Sequence, residues 1–558
     1  MHTPATIPPQ PPSSDHESDD ALGMARRFWT PRHIAEVTGG RWLRKPSDLD
    51  RPLAGLSIDT RTIGADEVFL AIVGPRFDGH NFLPAAAAAG AAMAIVEEVS
   101  SSDDVADSKL PLLHVDSAVE ALHRLAGAWR DVLAAAGCRV IAVVGSNGKT
   151  TTRHLVHTAL NKSVVSGSKA DDQSSQRETR DQKAETAAQR LEGTQSPRSF
   201  NNHLGVPLTL LAARAEHDFV VAEIGTNHPG EIAALASIAR PSAAVITSVG
   251  REHMEHFGTL EAVAREEAAV LDHLVEQGLA VIEAEAMQRI AGVRAMPEHV
   301  HVVRFGEGDD ADVRYENLSE TPVGLRFDVV GDAVSASNQT SKVGREAMTL
   351  PLLGRHNASN ALAAVVVGRW MGVSLDELAK QLAGTSAVPG RLEVRRVGLP
   401  TAAVLVLHDA YNANPDSMQA AIRTLVNVQA TTADTNQKPK TKNEKPKAAA
   451  PRRIAILGDM AELGKHGPDA HRQLGEELVK QGDAIDLVLL VGQLTLFTAE
   501  ALSRRWPNER VHVLGPLNDA AAQRIADMLK PGDIVLLKAS RSVALERVLP
   551  AIEQRFAT

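Results

Sequence analysis

Residues 141–153 read IAVVGSNGKTTTR, and this stretch decides the fold of the chain. A run of apolar, mostly β-branched residues breaks at Gly145 into a short turn that ends in Gly148, Lys149 and Thr150. Glycines let backbone N–H groups approach phosphate oxygens, and the positive end of the following helix points at the same place. The pattern therefore predicts a buried strand, a phosphate-binding loop and a helix.

The predicted loop is shorter than the common P-loop. The common pattern has a glycine five residues before Gly148, but Val143 stands at that position. We expect Lys149 to supply a mobile positive charge and Thr150 to supply a hydroxyl ligand for Mg²⁺. An ordinary strand-to-helix turn is the alternative interpretation. The residues expected to contact ATP in this loop are Gly145, Ser146, Asn147, Gly148, Lys149, Thr150 and Thr151.

The composition indicates a soluble chain with several domains. With 558 residues and a hydrophobic content of 44%, we expect roughly three domains, each with its own core. The net charge of −10, without a dense basic run in the folded regions, argues against nucleic acid as the main partner. No apolar stretch of about 18 residues occurs, and the single Cys138 cannot form a disulfide within the chain. We therefore expect a cytoplasmic protein that does not insert into the membrane.

The order of strands and polar stretches divides the chain into parts. Apolar strands alternate with helix-compatible sequence from Arg139 onwards, which is typical of a parallel sheet covered on both faces. We predict an α/β fold of three domains: a small α/β amino-terminal domain, a central P-loop domain with a parallel or mixed sheet, and a Rossmann-like carboxy-terminal domain. The predicted segments are a disordered tail (1–23), the three domains (24–136, 137–388 and 389–558) and two polar surface insertions (166–198 and 430–451).

Two further strands are predicted to carry polar groups to the phosphate loop. The strand in DFVVAEIG (218–225) delivers Glu223 near its carboxyl end, and SAAVITSVG (242–250) leads to His253. In an open α/β sheet, ligands bind beyond the carboxyl ends of the strands. We therefore predict a metal site with Thr150, Glu223 and His253, because a carboxylate and an imidazole at this edge can both ligate a cation. A histidine taken alone is more often a surface residue.

Taken together, several motifs resemble those of the Mur ligase superfamily, ATP-dependent enzymes that join an amino acid or a peptide to a carboxylate. The matching segments are GSNGKTTTR (145–153), AEIGTNHPGEI (222–232), LLGRHNASNALAA (352–364), PGRLE (389–393) and HDAYNANPDSM (408–418). The resemblance implies that Asn357 contacts adenine, that Asp409 contacts the ribose hydroxyls and that Arg391 contacts the phosphates of ATP.

Within the superfamily, three segments resemble the branch that adds D-alanyl-D-alanine to UDP-N-acetylmuramoyl-tripeptide in peptidoglycan synthesis. They are YNANPDSM (411–418), ILGDMAELG (456–464) and KASRSVALE (538–546). The stretch SIDTRTIGADEVFLAIVGPRFDGHNF (57–82) resembles the UDP-sugar recognition domain of the family. The resemblance implies Mg²⁺ as a cofactor and ATP as a substrate, and we expect a monomer.

The resemblance also implies which residues bind the other substrates. Ser57, Asp59 and Arg61 would read a uracil edge and a diphosphate. Asn201 and Asn202 would bind the sugar-peptide. The residues implied for the incoming dipeptide are Asn412, Asn414, Lys538, Ser540 and Arg541.

One position departs from the family pattern. The superfamily usually carries a carbamylated lysine, which helps to hold Mg²⁺, on the helix after the histidine motif, but this chain has Glu267 there. No lysine occurs between Lys183 and Lys342. We predict that Glu267 takes over as a metal ligand through a water molecule or a shifted helix, because its side chain is shorter than a lysine carbamate. The alternative is a solvated helix residue.

The expected chemistry follows from the needs of amide formation. A carboxylate requires a better leaving group than hydroxide, and ATP can provide one by forming an acyl phosphate. Positive charge and the loop amides would stabilise phosphoryl transfer, after which an amine attacks and phosphate leaves. We therefore expect catalytic roles for Lys149, Glu223 and His253, without an enzyme nucleophile. The alternatives are another Mur ligase, a folylpolyglutamate synthetase, or a non-catalytic ATP-binding switch protein.

Overall fold

The computed structural model of the chain describes residues 22–75, 77–97, 109–165, 189–321, 323–334, 340–399, 403–428 and 451–557. Three large sheets follow one another along the chain together with their helices, so the predicted α/β fold is confirmed. Most of the predicted tail and of the two predicted insertions lies outside the described residues, at 1–21, 166–188 and 429–450. Among the described helices, none is long and apolar enough to cross a membrane.

The first sheet has five strands in the order β1-β5-β4-β3-β2, and β1 runs antiparallel to its neighbour while the others pair in parallel. Its strands are β1 Arg41–Arg44, β2 Gly55–Ser57, β3 Glu67–Leu70, β4 Met93–Val96 and β5 Leu112–His114. Its helices are α1 (22–28), α2 Pro31–Thr38, α3 Leu83–Ala88 and α4 Ala118–Ala135. Thr30 caps α2 by accepting the His33 N–H, and Gly39 ends that helix with a φ of 69°.

The central sheet is mixed and has nine strands in the order β16-β15-β14-β13-β12-β11-β6-β10-β9. Strand β15 pairs antiparallel with both β14 and β16, and all other neighbours in this sheet pair in parallel. Its strands are β6 Arg139–Val144, β9 Gly193–Gln195, β10 Phe219–Glu223, β11 Ala243–Ile246, β12 Leu279–Glu283, β13 His301–Gly306, β14 Val313–Thr321, β15 Gly324–Val334 and β16 Thr340–Leu350. Its helices are α5 Lys149–Leu160, α6 Gly205–Leu211, α7 Glu231–Ala239, α8 Met254–Phe257, α9 Leu260–Ala268, α10 Ala284–Ala291, α11 His356–Trp370 and α12 Leu375–Ala383.

The carboxyl-terminal part of the first predicted insertion is not a surface loop, so the prediction was wrong there. Strand β8 (Gln189–Arg190) pairs with β7 (Val164–Val165), and β9 pairs in parallel with β10 at the edge of the central sheet. Leu191 and Ser196 are buried. Low hydrophobic content suggested a loop, but backbone hydrogen bonds at a sheet edge can recruit a polar segment.

The third sheet has six strands in the order β17-β18-β22-β19-β20-β21, and β17 pairs antiparallel while the others pair in parallel. Its strands are β17 Glu393–Val397, β18 Val404–His408, β19 Arg453–Gly458, β20 Leu487–Val491, β21 Val511–Gly515 and β22 Ile534–Lys538. Its helices are α13 Pro415–Asn427, α14 Gly467–Gln481, α15 Thr495–Ser503, α16 Asp519–Met528 and α17 Leu549–Phe556. Parallel strands alternating with helices give this part the expected Rossmann-like plan.

Strand β6 lies between β10 and β11 in the central sheet and sends its side chains into two cores. Val140 and Ala142 belong to one core, and Ile141 and Val143 belong to the other. Both faces are covered, which is why the strand reads as a continuous apolar run. Because Val143 pairs with Glu223 of β10 and, on its other side, with β11, the carboxyl ends of the three strands lie side by side. The phosphate loop, Glu223 and the segment after β11 therefore meet at one edge.

Candidate active site

A cavity of about 1160 Å³ lies where the carboxyl ends of the central strands face the third domain. Most of the residues predicted to bind ATP, metal or substrates line it. They are Ser146, Asn147, Gly148, Lys149, Thr150, Thr151, Asn201, Asn202, Glu223, His253, Asn357, Arg391, Asp409, Asn412, Asn414, Lys538 and Arg541. The predicted residues outside its lining are Ser57, Asp59, Arg61, Gly145, Glu267 and Ser540.

The phosphate loop adopts a conformation that requires its two glycines. Gly145 has a φ of 121° and Gly148 has a φ of 88°, both in the left-handed half of the map. A Cβ atom on Gly145 would collide with the Thr247 side chain, and one on Gly148 would lie 2.7 Å from Asn360 Oδ1. None of the described side chains caps helix α5, which begins directly after Gly148. Its first N–H groups are therefore available to phosphate oxygens.

Lys149 is partly buried among carboxylates. Its Nζ donates to Gly145 O at 2.5 Å and lies 3.4 Å from Glu252 Oε2. Burial alone would lower the pKa of Lys149, but three nearby glutamates, Glu252 foremost, outweigh it and raise the pKa. The side chain therefore stays charged and can move from these acceptors to a phosphate group.

The Glu223 carboxylate is enclosed at the end of β10. Its Oε1 accepts hydrogen bonds from Thr150 Oγ1 and Asn201 Nδ2, both at 3.1 Å. Its Oε2 accepts from Arg153 Nε at 3.2 Å, and Arg153 also donates to Ser196 O at 2.5 Å. Arg153 was not among the predicted site residues, although it follows Thr150 by three residues and so lies on the same face of α5.

His253 sits at the start of α8 in a left-handed conformation, with a φ of 47°. Its Nδ1 lies 2.7 Å from Glu462 Oε2 of the third domain, and its Nε2 lies 3.8 Å from Glu252 Oε2. The His253 imidazole lowers the pKa of the Glu462 carboxyl. His253 therefore faces two carboxylates that the sequence analysis did not single out, one adjacent in sequence and one in ILGDMAELG.

The side-chain oxygen atoms beside the phosphate loop suit Mg²⁺ but do not form a complete metal site by themselves. The Thr150 hydroxyl and the Glu223 carboxylate are 3.1 Å apart, and Mg²⁺ prefers oxygen ligands. Among the described residues, no group of three or more His, Cys, Asp and Glu side chains is placed to hold a metal ion. An ion at this place would take its other ligands from phosphate oxygens and water, as is usual for Mg²⁺ in nucleotide sites.

Glu267 lies behind the phosphate loop, outside the lining of the cavity. Its side chain is buried, and its Oε2 accepts the Gly145 N–H at 2.7 Å. Burial raises the pKa of Glu267 well above its usual value, and the neighbouring Glu252 carboxylate adds to this effect. The alternative of a solvated helix residue was therefore wrong. Metal ligation by Glu267 stays a prediction, which its contact with the loop does not support.

The third domain contributes a second set of charges to the cavity. Lys538 Nζ lies 2.7 Å from Asp409 Oδ2, and burial lowers the pKa of Lys538. The Arg391 guanidinium stacks on Tyr411, with its central carbon 4.2 Å from the ring centre. Arg391 Nη2 also lies 3.4 Å from Thr150 Oγ1, so this arginine reaches the phosphate loop.

Two predicted binding residues make hydrogen bonds inside the protein. Asn357 Nδ2 donates to Leu353 O at 2.7 Å, and Asn357 Oδ1 accepts from Asn360 Nδ2 at 2.9 Å. A contact from Asn357 to adenine stays a prediction. Ser540 is buried and donates to Ala413 O at 3.1 Å, so its position does not support the predicted role in dipeptide binding.

The three residues predicted to read the UDP group cluster in the first domain. Arg61 Nη2 lies 2.6 Å from Asp59 Oδ2, and Ser57 Oγ accepts the Asp59 N–H at 3.2 Å. Hydrogen bonds from Arg61 lower the pKa of Asp59 to about 2. Because this first-domain cluster lies outside the cavity lining, its role in binding UDP stays a prediction.

Direct contacts join the third domain to the segments around the phosphate loop. Asn414 Nδ2 donates to Asn147 Oδ1 at 2.9 Å. Asp416, in the first turn of α13, accepts the Arg251 N–H at 2.8 Å and pairs with the Arg251 guanidinium, with Nη2 2.8 Å from Oδ1. Together with the histidine contact described above, these bonds hold the two walls of the cavity side by side.

Comparison with known protein families finds the same family in all three parts of the chain. Profiles of the Mur ligase family catalytic domain, the Mur ligase middle domain and the Mur ligase glutamate ligase domain match residues 52–130, 143–368 and 440–541. Two enzymes named UDP-N-acetylmuramoyl-tripeptide–D-alanyl-D-alanine ligase, from Bacillus subtilis (strain 168) and Escherichia coli (strain K12), are each 30% identical to this chain. The first alignment covers 93% of this chain and 97% of the Bacillus enzyme, and the second covers 90% and 95%.

Solved structures show the same likeness. The crystal structure of MurF from Acinetobacter baumannii aligns with a TM-score of 0.72 and 25% identity, over 94% of this chain and 99% of that one. The structure of MurF ligase from Thermotoga maritima in complex with ADP aligns with a TM-score of 0.66 and 26% identity, over 90% and 97%. The resemblance predicted from the sequence is confirmed: the chain belongs to the Mur ligase family.

Proposed function

We propose that this chain is an ATP-dependent amide ligase that adds D-alanyl-D-alanine to UDP-N-acetylmuramoyl-tripeptide. The observation that carries the proposal is the cavity in which the phosphate loop meets Arg391, Asp409 and Lys538 of the third domain. A second charged wall beside the loop suits a reaction in which a further substrate meets an activated carboxylate. The names of relatives that align over most of the chain support the choice of substrates.

The proposed reaction has two steps. The tripeptide carboxylate attacks the γ-phosphorus of ATP, ADP leaves, and an acyl phosphate forms. The dipeptide amine then attacks the acyl carbon and loses a proton, and inorganic phosphate leaves with one oxygen of the original carboxylate. This route forms no covalent bond to the enzyme, so it needs no nucleophilic side chain.

The residues of the phosphate loop act on the charge of the transferring group. Lys149 exchanges its contacts with Gly145 O and Glu252 for the γ-phosphate, and the N–H groups at the start of α5 bind phosphate oxygens. Thr150 and Glu223 would hold Mg²⁺, which neutralises phosphate charge when bound. Because these groups are already in place, little reorganisation is needed during phosphoryl transfer.

The remaining substrates occupy opposite sides of the loop in this proposal. Asn201 and Asn202 serve the sugar-peptide, and Lys538 and Arg541 offer positive charge to the carboxylate of the dipeptide. Asn412 and Asn414 offer side-chain amide groups to the same dipeptide. We further propose that the enzyme acts in the cytoplasm, where ATP is available, and as a monomer.

An ATP-turnover assay with single omissions tests the proposed function. With UDP-N-acetylmuramoyl-tripeptide, D-alanyl-D-alanine and Mg-ATP together, we expect ADP, phosphate and new amide in equal amounts. A panel of dipeptides, and tripeptides with different third residues, measures specificity. ATP turnover that does not depend on the dipeptide would contradict ligation and favour a nucleotide switch. Ligation of an amino acid to a folate substrate would favour a folylpolyglutamate synthetase.

A further inference from the structure

Two buried glutamates lie next to the phosphate loop. Glu267 has no part in the mechanism above, and Glu252 enters it only as the carboxylate that Lys149 leaves. Glu252 follows strand β11 and Glu267 lies on α9, and both are buried. The Glu252 carboxylate is near enough to Glu267 to add to the rise of its pKa that burial causes. Two acids placed together in the interior are costly unless each is bonded, so their partners identify what they do.

Glu267 is bonded to the first residue of the loop. Its Oε2 accepts the N–H of Gly145, which is buried, at 2.7 Å. Without this acceptor, the N–H would lose its partner in the interior, and the backbone at this glycine would lose a restraint. Neither Gly145 nor Glu267 lines the cavity.

Glu252 is bonded to the last residue of the same loop. Its Oε2 lies 3.4 Å from Lys149 Nζ, and Lys149 Nζ in turn donates to Gly145 O at 2.5 Å. The two glutamates therefore contact the loop at different places, Glu267 at the Gly145 N–H and Glu252 at the Lys149 ammonium group.

We propose that Glu267 is a brace that holds the phosphate loop in its nucleotide-binding conformation, as a positioning residue for Gly145. The brace rests on the proposed function in that the loop is taken to bind ATP for ligation. A loop ordered in advance binds phosphate without a further loss of backbone entropy, so the brace acts on nucleotide affinity. This role requires an acceptor for the Gly145 N–H at position 267, and it does not require a metal contact.

Two variants of similar size separate this role from metal ligation. In Glu267→Gln, the amide oxygen can accept the Gly145 N–H and the amide nitrogen can donate to Glu252. In Glu267→Met, neither bond can form. We expect Glu267→Gln to keep ADP affinity within about twofold and an unchanged Mg²⁺ requirement, whereas Glu267→Met weakens ADP binding and raises the KM for ATP about tenfold. The KM for the dipeptide should stay unchanged in both.

Calorimetric titration with ADP, with and without Mg²⁺, measures the effect of each variant on nucleotide affinity. A raised Mg²⁺ requirement in Glu267→Gln would overturn the proposal in favour of metal ligation. Normal ADP affinity in Glu267→Met, with only a lower melting temperature, would reduce Glu267 to a packing role. If Glu267→Met does not fold, Glu267→Asp replaces it, because the shorter side chain keeps a carboxyl group but falls short of the Gly145 N–H.

The ADP-binding measurement also distinguishes failure of the brace from failure of the proposed function. Wild-type enzyme that binds ADP but forms no amide would contradict the proposed function and leave the brace testable. Wild-type enzyme that ligates, beside a Glu267→Met variant with full ADP affinity, would contradict the brace alone.

Discussion

Two arginine–carboxylate pairs of this chain occupy opposite environments. Beside the phosphate loop, the side chains of Arg153 and Glu223 are 6% and 1% exposed. In the first-domain cluster, the side chains of Arg61 and Asp59 are 87% and 33% exposed. The nitrogen–oxygen distances are 3.2 Å and 2.6 Å respectively, so distance alone would rank the exposed pair as the stronger one.

Burial reverses that ranking. An exposed ion pair contributes little, because water and salt screen it. In the interior, removing one partner leaves a charge without compensation, which costs about 3–5 kcal/mol. The buried pair therefore fixes the geometry needed for phosphate chemistry, whereas the exposed pair can rearrange around a ligand.

The largest effect is expected from breaking the buried pair. Glu223→Ala should lower the stability of the central domain by about 3–5 kcal/mol, because it leaves Arg153 buried without its carboxylate. It should also remove a predicted metal ligand and abolish ligation. Thermal unfolding followed by circular dichroism measures the first effect. Asp59→Ala is the matched control on the exposed pair, and an equal fall in melting temperature for both variants would contradict the comparison.

Removal of Lys149 tests the positive charge at the phosphate loop and leaves the Arg153–Glu223 pair intact. Lys149→Ala should reduce turnover on the order of 10²–10³ or more at saturating Mg-ATP, because it removes a preorganised cation from the transferring phosphate. Steady-state kinetics with both substrates measures the loss. Lys380→Ala, at an exposed lysine on α12, should turn over normally. Near-normal turnover in Lys149→Ala would remove its proposed role.

A half-exposed pair between the domains should give an intermediate effect. Asp416→Ala removes the carboxylate that pairs with Arg251, and we expect kcat/KM to fall about fivefold while the melting temperature changes little. Small-angle scattering should also show a larger radius of gyration when the domains lose this contact. An unchanged radius and unchanged kinetics would show that the pair does not hold the cavity walls together.

The smallest effect is expected at the exposed pair. Arg61→Ala should leave the melting temperature unchanged and raise the KM for the UDP-linked substrate about threefold. The KM for the dipeptide should not change, since the first-domain cluster lies outside the cavity. Initial rates with each substrate varied in turn make this measurement. A large loss of stability in this variant would show that exposure is a poor guide here.

The parts of the fold that the sequence predicts well are those in which local pattern and burial agree. Strand β6 is apolar throughout because both of its faces are covered, and its loop carries glycines where no Cβ fits. Residues 189–195 were assigned to a loop because they are polar, yet they join a sheet through their backbone. Side-chain composition carries no direct signal for such edge pairing.

The active site likewise contains residues that the sequence predicts and residues that it does not. Lys149, Thr150 and Glu223 were found because motif and strand position place them, and the cavity does bring them together. Glu462 and the bonding of Glu252 were missed, because contacts between segments far apart in sequence leave no local pattern. The resemblance drew attention to Glu267, but only the fold revealed that it is buried against Gly145.

The proposed reaction passes through an acyl phosphate, and the transfer of an oxygen isotope from substrate to phosphate tests this intermediate. The substrate carboxylate that becomes the amide is labelled with ¹⁸O on both oxygens, and the phosphate released during ligation is analysed by mass spectrometry. We expect one ¹⁸O atom in the phosphate for each amide formed, because the attacking carboxylate oxygen leaves with phosphorus. Amide formation with unlabelled phosphate would contradict the acyl phosphate.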